Sequence, residues 1–588
     1  MAVPDRQDCL SYEPMKRWLY RPYDQATVER LQAEHRLSPL LATLLAQRDI
    51  TSSEDAQQFL HADLSDLHDP LRMLGMQAAV DRLRRAIANS ERVLIYGDYD
   101  VDGTTAVVIL RTAIEMAGGK AEFHVPHRIQ DGYGMRTDVI ERAARDGVGL
   151  IISVDTGIRE TAVVDRAREL GIDTIITDHH LPEAGVPRAL AVLNPNQPGC
   201  SYPDKSLSGV GVAFKLSQAL LGGLDWPPDR LRRVLESMLK VVAIGTIADV
   251  VPLTGENRVF TRIGLAGLTR SVNPGLKALL EVSDLSQKRR LSATDVAFRL
   301  APRLNAAGRM DTAGEVIELF TTRDATQARQ IAQKLDQLNT DRRQAEAAVV
   351  REILERLEGI PPPAELPCIV VEGEGWHRGV IGIAASRIVE RFHRPTLVLS
   401  TNAEEATATG SGRSIPAFHL LQALEHVHDV FERFGGHRQA AGCTLQIGRI
   451  AELRERLNRY ASGVLQPVDF KPVLEVDTEL EFRYITDAMM EDLSRLEPYG
   501  FGNPKPLFSA KGLRLQTAPE ILKEKHLKLR IAQDNFGFSA VGWRMGGRAD
   551  GLASGSEIQA AFSIEPDFYW GGWRLELEDF HLAGAAGV

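Results

Sequence analysis

Three short apolar runs, each ending in a cluster of acidic or histidine residues, constrain this chain more than any other feature. Val93-Leu94-Ile95-Tyr96 runs into Gly97-Asp98-Tyr99-Asp100-Val101-Asp102-Gly103. Leu150-Ile151-Ile152-Ser153-Val154 runs into Asp155-Thr156-Gly157, and Thr174-Ile175-Ile176-Thr177 into Asp178-His179-His180. Each run is brief, rich in β-branched residues and closed by a turn signal, as expected of a strand buried on both faces. With Ala191-Val192-Leu193 as a fourth run and amphipathic stretches between, they predict a mostly parallel sheet with helices on both faces. In such a sheet the carboxyl ends of neighbouring strands open onto one crevice.

Asp98, Asp100, Asp102, Asp155, Asp178, His179 and His180 are therefore expected to meet, although they lie far apart along the chain. A single Asp at a strand end caps a helix more often than it binds a ligand, and Asp102 or Thr104 could cap the helix after the first run. Three such ends are harder to read as caps, because carboxylates held that close repel one another unless a cation neutralises them. Asp249 adds a charge to the apolar helical run that starts at Val241, which is costly unless it is paired or coordinated. Oxygen donors mixed with imidazole suit Mn2+ or Mg2+ better than structural zinc, and the number of carboxylates points to two ions. A pair of ions can bridge a water, lower its pKa and stabilise an in-line displacement at phosphorus. Phosphoester hydrolysis is the chemistry these residues suggest.

At 588 residues the chain is too long for one core and suits several domains. Residues 1–85 read as a helical segment packed on the domain that follows. Residues 86–322 carry the strand-and-cluster pattern. Residues 323–360 read as a long connecting helix stopped by Pro361-Pro362-Pro363. Residues 361–465 form a second α/β domain with strands at Cys368-Ile369-Val370-Val371 and Thr396-Leu397-Val398-Leu399. Residues 466–588 alternate apolar and polar residues, as in His526-Leu527-Lys528-Leu529-Arg530-Ile531, which predicts a β-barrel. No apolar stretch is long enough to span a membrane, and no secretory leader is evident, so a cytoplasmic protein is expected. The net charge of −10 does not exclude a nucleic-acid substrate, because steering depends on where the charge lies.

The triplet Asp178-His179-His180, with the three clusters and Ile247-Ala248-Asp249-Val250-Val251-Pro252-Leu253, resembles the DHH phosphoesterase superfamily and, within it, the RecJ exonucleases. Arg303-Leu304-Asn305-Ala306-Ala307-Gly308-Arg309, Gly375-Trp376-His377-Arg378-Gly379-Val380-Ile381-Gly382, Gly410-Ser411-Gly412-Arg413-Ser414 and Phe434-Gly435-Gly436-His437-Arg438-Gln439-Ala440-Ala441-Gly442 continue the resemblance in order, the last three in the DHHA1 domain. The resemblance implies a DHH domain, a long helix, a DHHA1 domain and an oligonucleotide-binding (OB-like) barrel.

It also implies 5′→3′ hydrolysis of single-stranded DNA to 5′ mononucleotides, in DNA repair and recombination. Asp100, Asp102, Asp155, His179 and Asp249 would be the metal ligands, with Asp155 shared by two Mn2+ or Mg2+ ions. His180 would touch the scissile phosphate or support the ligands. Many relatives carry His where this chain has Tyr96, so water or Asp98 would fill that ligand position. Arg303, Asn305 and Arg309 would line the path of the 5′ end. His377, Arg378, Arg413, Ser414 and His437 would hold the terminal phosphate or nucleotide. In the barrel, Lys523, Lys525, Lys528 and Arg530 could meet phosphates, while most aromatics form core and residues 498–504 make an ordered turn at its edge. A monomer is expected, with single-strand binding protein and a helicase as partners and no membrane contact. The alternatives are a non-catalytic DNA-binding scaffold derived from RecJ and a small-substrate DHH phosphodiesterase.

Overall fold

The computed structural model describes residues 16–583 apart from 129–130, 133, 184, 311–312, 358–365 and 568–570. The prolines expected to stop the long helix, 361–363, lie outside the described residues. Two compact units form: Ile50–Arg342 with Arg495–Pro504, and Met1–Asp49 with Arg343–Ser494 and Lys505–Val588. Among the described residues, no helix is long and apolar enough to cross a membrane.

The first unit is built on a five-stranded, all-parallel sheet. Its order is Ala121–His124, Arg92–Tyr96, Val148–Val154, Asp173–Thr177, Ala191–Leu193. Alternate side chains serve opposite faces, as a strand's period of two requires. Val93, Ile95, Leu150 and Ile152 join one core, and Leu94, Tyr96 and Ile151 the other. The first core is covered by helices Val101–Met116, Gly209–Gly222 and Pro228–Ala248. The second is covered by the strongly amphipathic Thr137–Arg145 and by Thr161–Glu169. Strand Ala121–His124 is not among the expected runs. It is a partly exposed edge strand with no continuous apolar run to reveal it.

Helix Ala325–Leu357 is 33 residues long and passes from the first unit into the second. The second unit then forms a mixed sheet in the order Arg433–Gly436, Ala440–Gln446, Thr407–Arg413, Thr396–Asn402, Ile369–Glu374. Only its last pair is parallel. The glycine-rich motif Gly410-Ser411-Gly412-Arg413 is thus strand rather than loop.

The C-terminal part closes into a five-stranded barrel. Strands Phe508–Leu515, Glu557–Pro566, Trp573–Leu582, Phe536–Gly542 and His526–Gln533 pair in turn, and Arg514 and Leu515 close the ring on Ala532 and Ile531. Phe482, Phe508 and Phe562 are buried in its interior, and half-buried Phe538 meets Phe482 edge-on. Lys528 pairs with Glu520, and Arg530 donates to the Gln516 side chain.

Two expectations are corrected. Among the described residues, 16–85 do not act as one helical segment packed on the domain that follows. Strand Arg17–Tyr20 pairs in parallel with Val473–Val476, which draws residues up to 49 into the second unit, while residues from 50 onward stay in the first. Residues 498–504 do not edge the barrel. They belong to the first unit, where the Leu253 amide donates to the Phe501 carbonyl at 2.8 Å.

Candidate metal centre

Backbone pairing continues one residue beyond three of the parallel strands. Gly97 donates to the His124 carbonyl at 2.9 Å, Asp155 to that of Thr177 at 2.9 Å, and Asp178 to that of Leu193 at 3.0 Å. The acidic residues therefore leave the sheet side by side. Asp155 does so with φ of 59°, a left-handed conformation that Asp tolerates better than most residues. Asp100 is the N-cap of helix Val101–Met116, accepting from the Gly103 amide at 3.0 Å, so neither Asp102 nor Thr104 caps it.

Asp102 is turned inward at 1% exposure. Its two oxygens accept from the amides of Gly209 at 2.6 Å and Val210 at 2.9 Å, the first residues of helix Gly209–Gly222. Asp249 follows the last turn of helix Pro228–Ala248. His179 is the hub: its Nε2 lies 3.2 Å from Asp155 Oδ1, 3.6 Å from Asp249 Oδ2 and 3.9 Å from Asp102 Oδ2.

Among the described residues, donor atoms lying within 4.8 Å of one another form three groups: Asp98, Asp100 and Asp155; Asp102, His179 and Asp249; and Asp155, His179 and His180. Asp155 is common to the first and third, His179 to the second and third. Asp98 Oδ1, Asp155 Oδ1, His179 Nε2 and Asp249 Oδ2 are all buried and make no hydrogen bond. Four orphaned donors converging from four loops are the pattern a divalent cation resolves, since buried polar atoms are otherwise paired.

The electrostatics agree. Burial, then repulsion from Asp100, pushes Asp102 up to about 7. Burial, then Asp102 and Asp100, pushes Asp249 up to about 9. Burial and the neighbouring carboxylates hold Asp98 and Asp155 well above the usual carboxylate range. His179 is brought down to about 4 by burial and by His180, which keeps its imidazole neutral and able to coordinate.

His180 differs. Burial opposes its charge, but Asp178 Oδ1 at 2.7 Å from Nδ1 outweighs that and raises it. Asp178 also accepts from the amides of His179, His180 and Ile158, so it organises the triplet. Sequence reading missed the groups that hold this loop: Asn194 donates to the His180 carbonyl at 2.9 Å and Asn196 to that of His179 at 3.1 Å. It also missed Arg128, whose guanidinium lies 4.8 Å from the centroid of the Tyr99 ring and whose charge lowers Asp98.

The expected substrate residues scatter more widely. Helix Ala301–Met310 rests on the acidic loop, with Gly308 against the Tyr99 carbonyl and the Arg309 charge acting on the Tyr99 hydroxyl. Asn305 is half-buried on the same helix. Arg303 is turned elsewhere, to Asp336 at 2.8 Å and to the carbonyls of Arg299 and Val282.

In the second unit, His377 caps helix Arg378–Phe392, and Arg378 pairs loosely with Glu405 at 3.9 Å. Both lie where strand Ile369–Glu374 ends. Strand register puts Arg413 at the opposite end of the sheet, beside Thr396 and Ala440, with Ser414 and exposed His437 beyond. The ends are separated by a seven-residue strand, about 20 Å at the usual rise. Arg413 folds back to Ser411 Oγ at 3.2 Å, whereas Ser414 Oγ donates to the Phe418 carbonyl. The Arg413 guanidinium nevertheless reaches helix Arg378–Phe392, where a Cβ on Gly382 would lie 3.1 Å from its Nη2.

Comparison with known proteins places these features in context. A model described as DHH family, N-terminal domain matches residues 92–246; the DHHA1 domain matches 365–463 and the RecJ OB domain 476–578. The single-stranded-DNA-specific exonuclease RecJ of Bacillus subtilis is 40% identical over 547 residues, covering 92% of this chain and 67% of its own length. The Escherichia coli protein of the same name is 37% identical over 513 residues, 84% of this chain and 87% of that one. The crystal structure of RecJ in complex with Mn2+ from Thermus thermophilus matches with a TM-score of 0.80 at 29% identity, covering 96% of this chain and 79% of the other. A structure of exonuclease RecJ bound to manganese matches with a TM-score of 0.59 at 33% identity, over 67% of this chain and 96% of that one.

Proposed function

The chain belongs to the family of RecJ single-stranded-DNA-specific exonucleases, and from that premise we propose how its residues divide the work. It is a metal-dependent exonuclease of single-stranded DNA, with manganese or magnesium as cofactor. The observation that carries the reading is the convergence of buried, unpartnered Asp98, Asp155, His179 and Asp249 atoms.

In this proposal Asp100, Asp102, Asp155, His179 and Asp249 would hold two ions, with Asp155 shared between them and Asp98 available for the position left open by Tyr96. The ions, when bound, polarise the scissile phosphate and lower the pKa of a water. The chain's own contribution is orientation. The amides of Gly209 and Val210 hold Asp102, and Asp178 orients His180 and favours its charged form, from which it would donate to a phosphate oxygen. Hydrolysis forms one bond from water oxygen to phosphorus and breaks the bond to the 3′ oxygen, which takes up a proton. The products are a 5′ mononucleotide and a strand shortened by one.

Arg309 and Asn305 serve the strand near the centre; Arg413, Ser414 and His437 serve the terminal nucleotide; and the barrel binds the strand beyond. Length and the barrel favour a polymeric substrate over a dinucleotide or pyrophosphate, and the intact donor set disfavours a non-catalytic scaffold. A cytoplasmic monomer working with single-strand binding protein and a helicase completes the proposal. The test is product analysis of 5′- and 3′-labelled single strands with Mn2+, for wild type and Asp155→Ala. Mononucleotides from the 5′ label first, duplex spared and the variant inactive are expected; intact DNA with wild-type protein would favour the scaffold.

A further inference from the structure

Residues 498–503 are contributed late in the chain, between helix Asp487–Arg495 and strand Phe508–Leu515, yet they pack within the first unit. They meet the stretch directly after Asp249. The Leu253 amide donates to the Phe501 carbonyl at 2.8 Å. A Cβ on Gly502, which has φ of 74°, would lie 2.8 Å from Pro252 Cβ and 3.1 Å from Pro252 Cα. The segment is stiffened from within. Buried Asn503 donates from Nδ2 to the carbonyls of Leu496 at 2.8 Å and Pro498 at 2.9 Å, and Gly500 and Asn503 exchange backbone hydrogen bonds. It is also anchored from below. The buried guanidinium of Arg258, on helix Gly255–Leu268, donates to the carbonyls of Leu496, Arg495 and Glu497.

The stretch it meets needs holding. Val250 has φ of 63°, a left-handed conformation that a β-branched residue adopts only under constraint. At 62% exposure its side chain is not what pins it there. The constraint comes from the two ends of the turn: the helix that stops at Ala248, and Pro252-Leu253, which residues 501 and 502 hold together with Asn257, whose Nδ2 donates to the Pro252 carbonyl at 3.1 Å, and with the core around buried Leu253.

We infer that residues 498–503 are a positioning element for Asp249. By fixing Pro252 and Leu253 they hold Val250 in its strained turn, and so hold the Asp249 carboxylate 3.6 Å from His179 Nε2, facing the metal centre. One metal ligand is thereby set by a loop encoded some 250 residues further on. The inference rests on the metal-centre reading above.

The experiment uses the full chain and compares Gly502→Ala with Gly512→Ala. Both glycines have positive φ, 74° and 65°, so both variants place an L residue in a left-handed conformation. Only Gly502 faces Pro252; nothing lies within 4 Å of a Cβ on Gly512. Mn2+ affinity is read by calorimetric titration, and kcat and KM for single-stranded DNA over a range of Mn2+ concentrations. Gly502→Ala is expected to weaken Mn2+ binding about tenfold or more, the usual effect of losing a group that supports a ligand. Its kcat should fall at low Mn2+ and recover at high Mn2+, with KM unchanged, while Gly512→Ala binds Mn2+ as wild type does. Pro252→Gly removes the same contact without crowding, decides the matter if Gly502→Ala does not fold, and should weaken Mn2+ likewise. Wild-type Mn2+ affinity in folded Gly502→Ala, or in Pro252→Gly, would overturn the inference, as would equal losses at 502 and 512. Were wild type itself to bind no Mn2+, or to bind it undiminished in Asp155→Ala, the underlying metal-centre reading would fall instead.

Discussion

The Gly209 amide donates to Oδ2 of Asp102 at 2.6 Å, so a helix N-terminus grips a carboxylate at the centre of the acidic cluster. The same glycine borders Asp155: a Cβ on residue 209 would lie 2.5 Å from Asp155 Oδ1 and 2.7 Å from its Cβ. The positive end of the helix thus offsets part of the charge the sheet assembles, and does so only because residue 209 has no side chain.

Gly209→Ala is therefore expected to displace Asp155 and cut activity on single-stranded DNA by about a hundredfold or more, as small misplacements at reacting centres do. Steady-state kinetics at saturating Mn2+ check this, with circular dichroism showing that the fold persists.

Asp155→Asn should abolish activity but stabilise the metal-free protein, because it removes a carboxyl that burial and its neighbours force either to stay charged or to take up a proton on folding. Thermal unfolding in chelator is expected to show a higher Tm than wild type, and added Mn2+ should raise the variant's Tm less than that of wild type. A lower Tm in chelator would contradict this account of the site.

The raised carboxyls set a pH dependence with a definite sign. Asp102 at about 7 and Asp249 at about 9 bind protons in the folded state that the unfolded chain has already released, so their contribution is present at low pH and lost as pH rises through those values. In chelator, Tm should fall between about pH 5 and 9 on this account. The Tm gain from Mn2+ should grow over the same range, since metal and protons compete for these oxygens.

Arg303→Ala is expected to act on stability rather than on substrate. Its guanidinium, 16% exposed, is committed to Asp336 and two carbonyls. A cost of roughly 1 kcal/mol in unfolding free energy, from the lost hydrogen bonds to half-exposed partners, should appear with KM for DNA unchanged. A raised KM at unchanged stability would return Arg303 to the DNA path.

The strand ends of the first unit were legible because β-branched runs and the Asp/His clusters behind them are both local signals. Residue type could not reveal the amides of Gly209 and Val210, since every residue but proline carries one. Arg303 and Asp336 lie on different helices, so their pairing leaves no periodic trace. Strand Arg17–Tyr20 is four residues long and finds its partner near residue 475, beyond any window in which a pattern repeats. Tyr499, Gly500 and Phe501 read as a barrel turn by adjacency, which is a poor guide where a segment leaves the domain it is encoded in.

The strands of the parallel sheet are complete at Leu193, while the amides that relieve its acidic edge arrive at residues 209 and 210 and one more carboxylate at 249. During synthesis the ribosome therefore delivers the crowded carboxylates of residues 98, 100, 102 and 155 well before the amides and the last aspartate that complete their surroundings. Until those amides are in place, the repulsion among these carboxylates can be relieved only by protonation or by a cation.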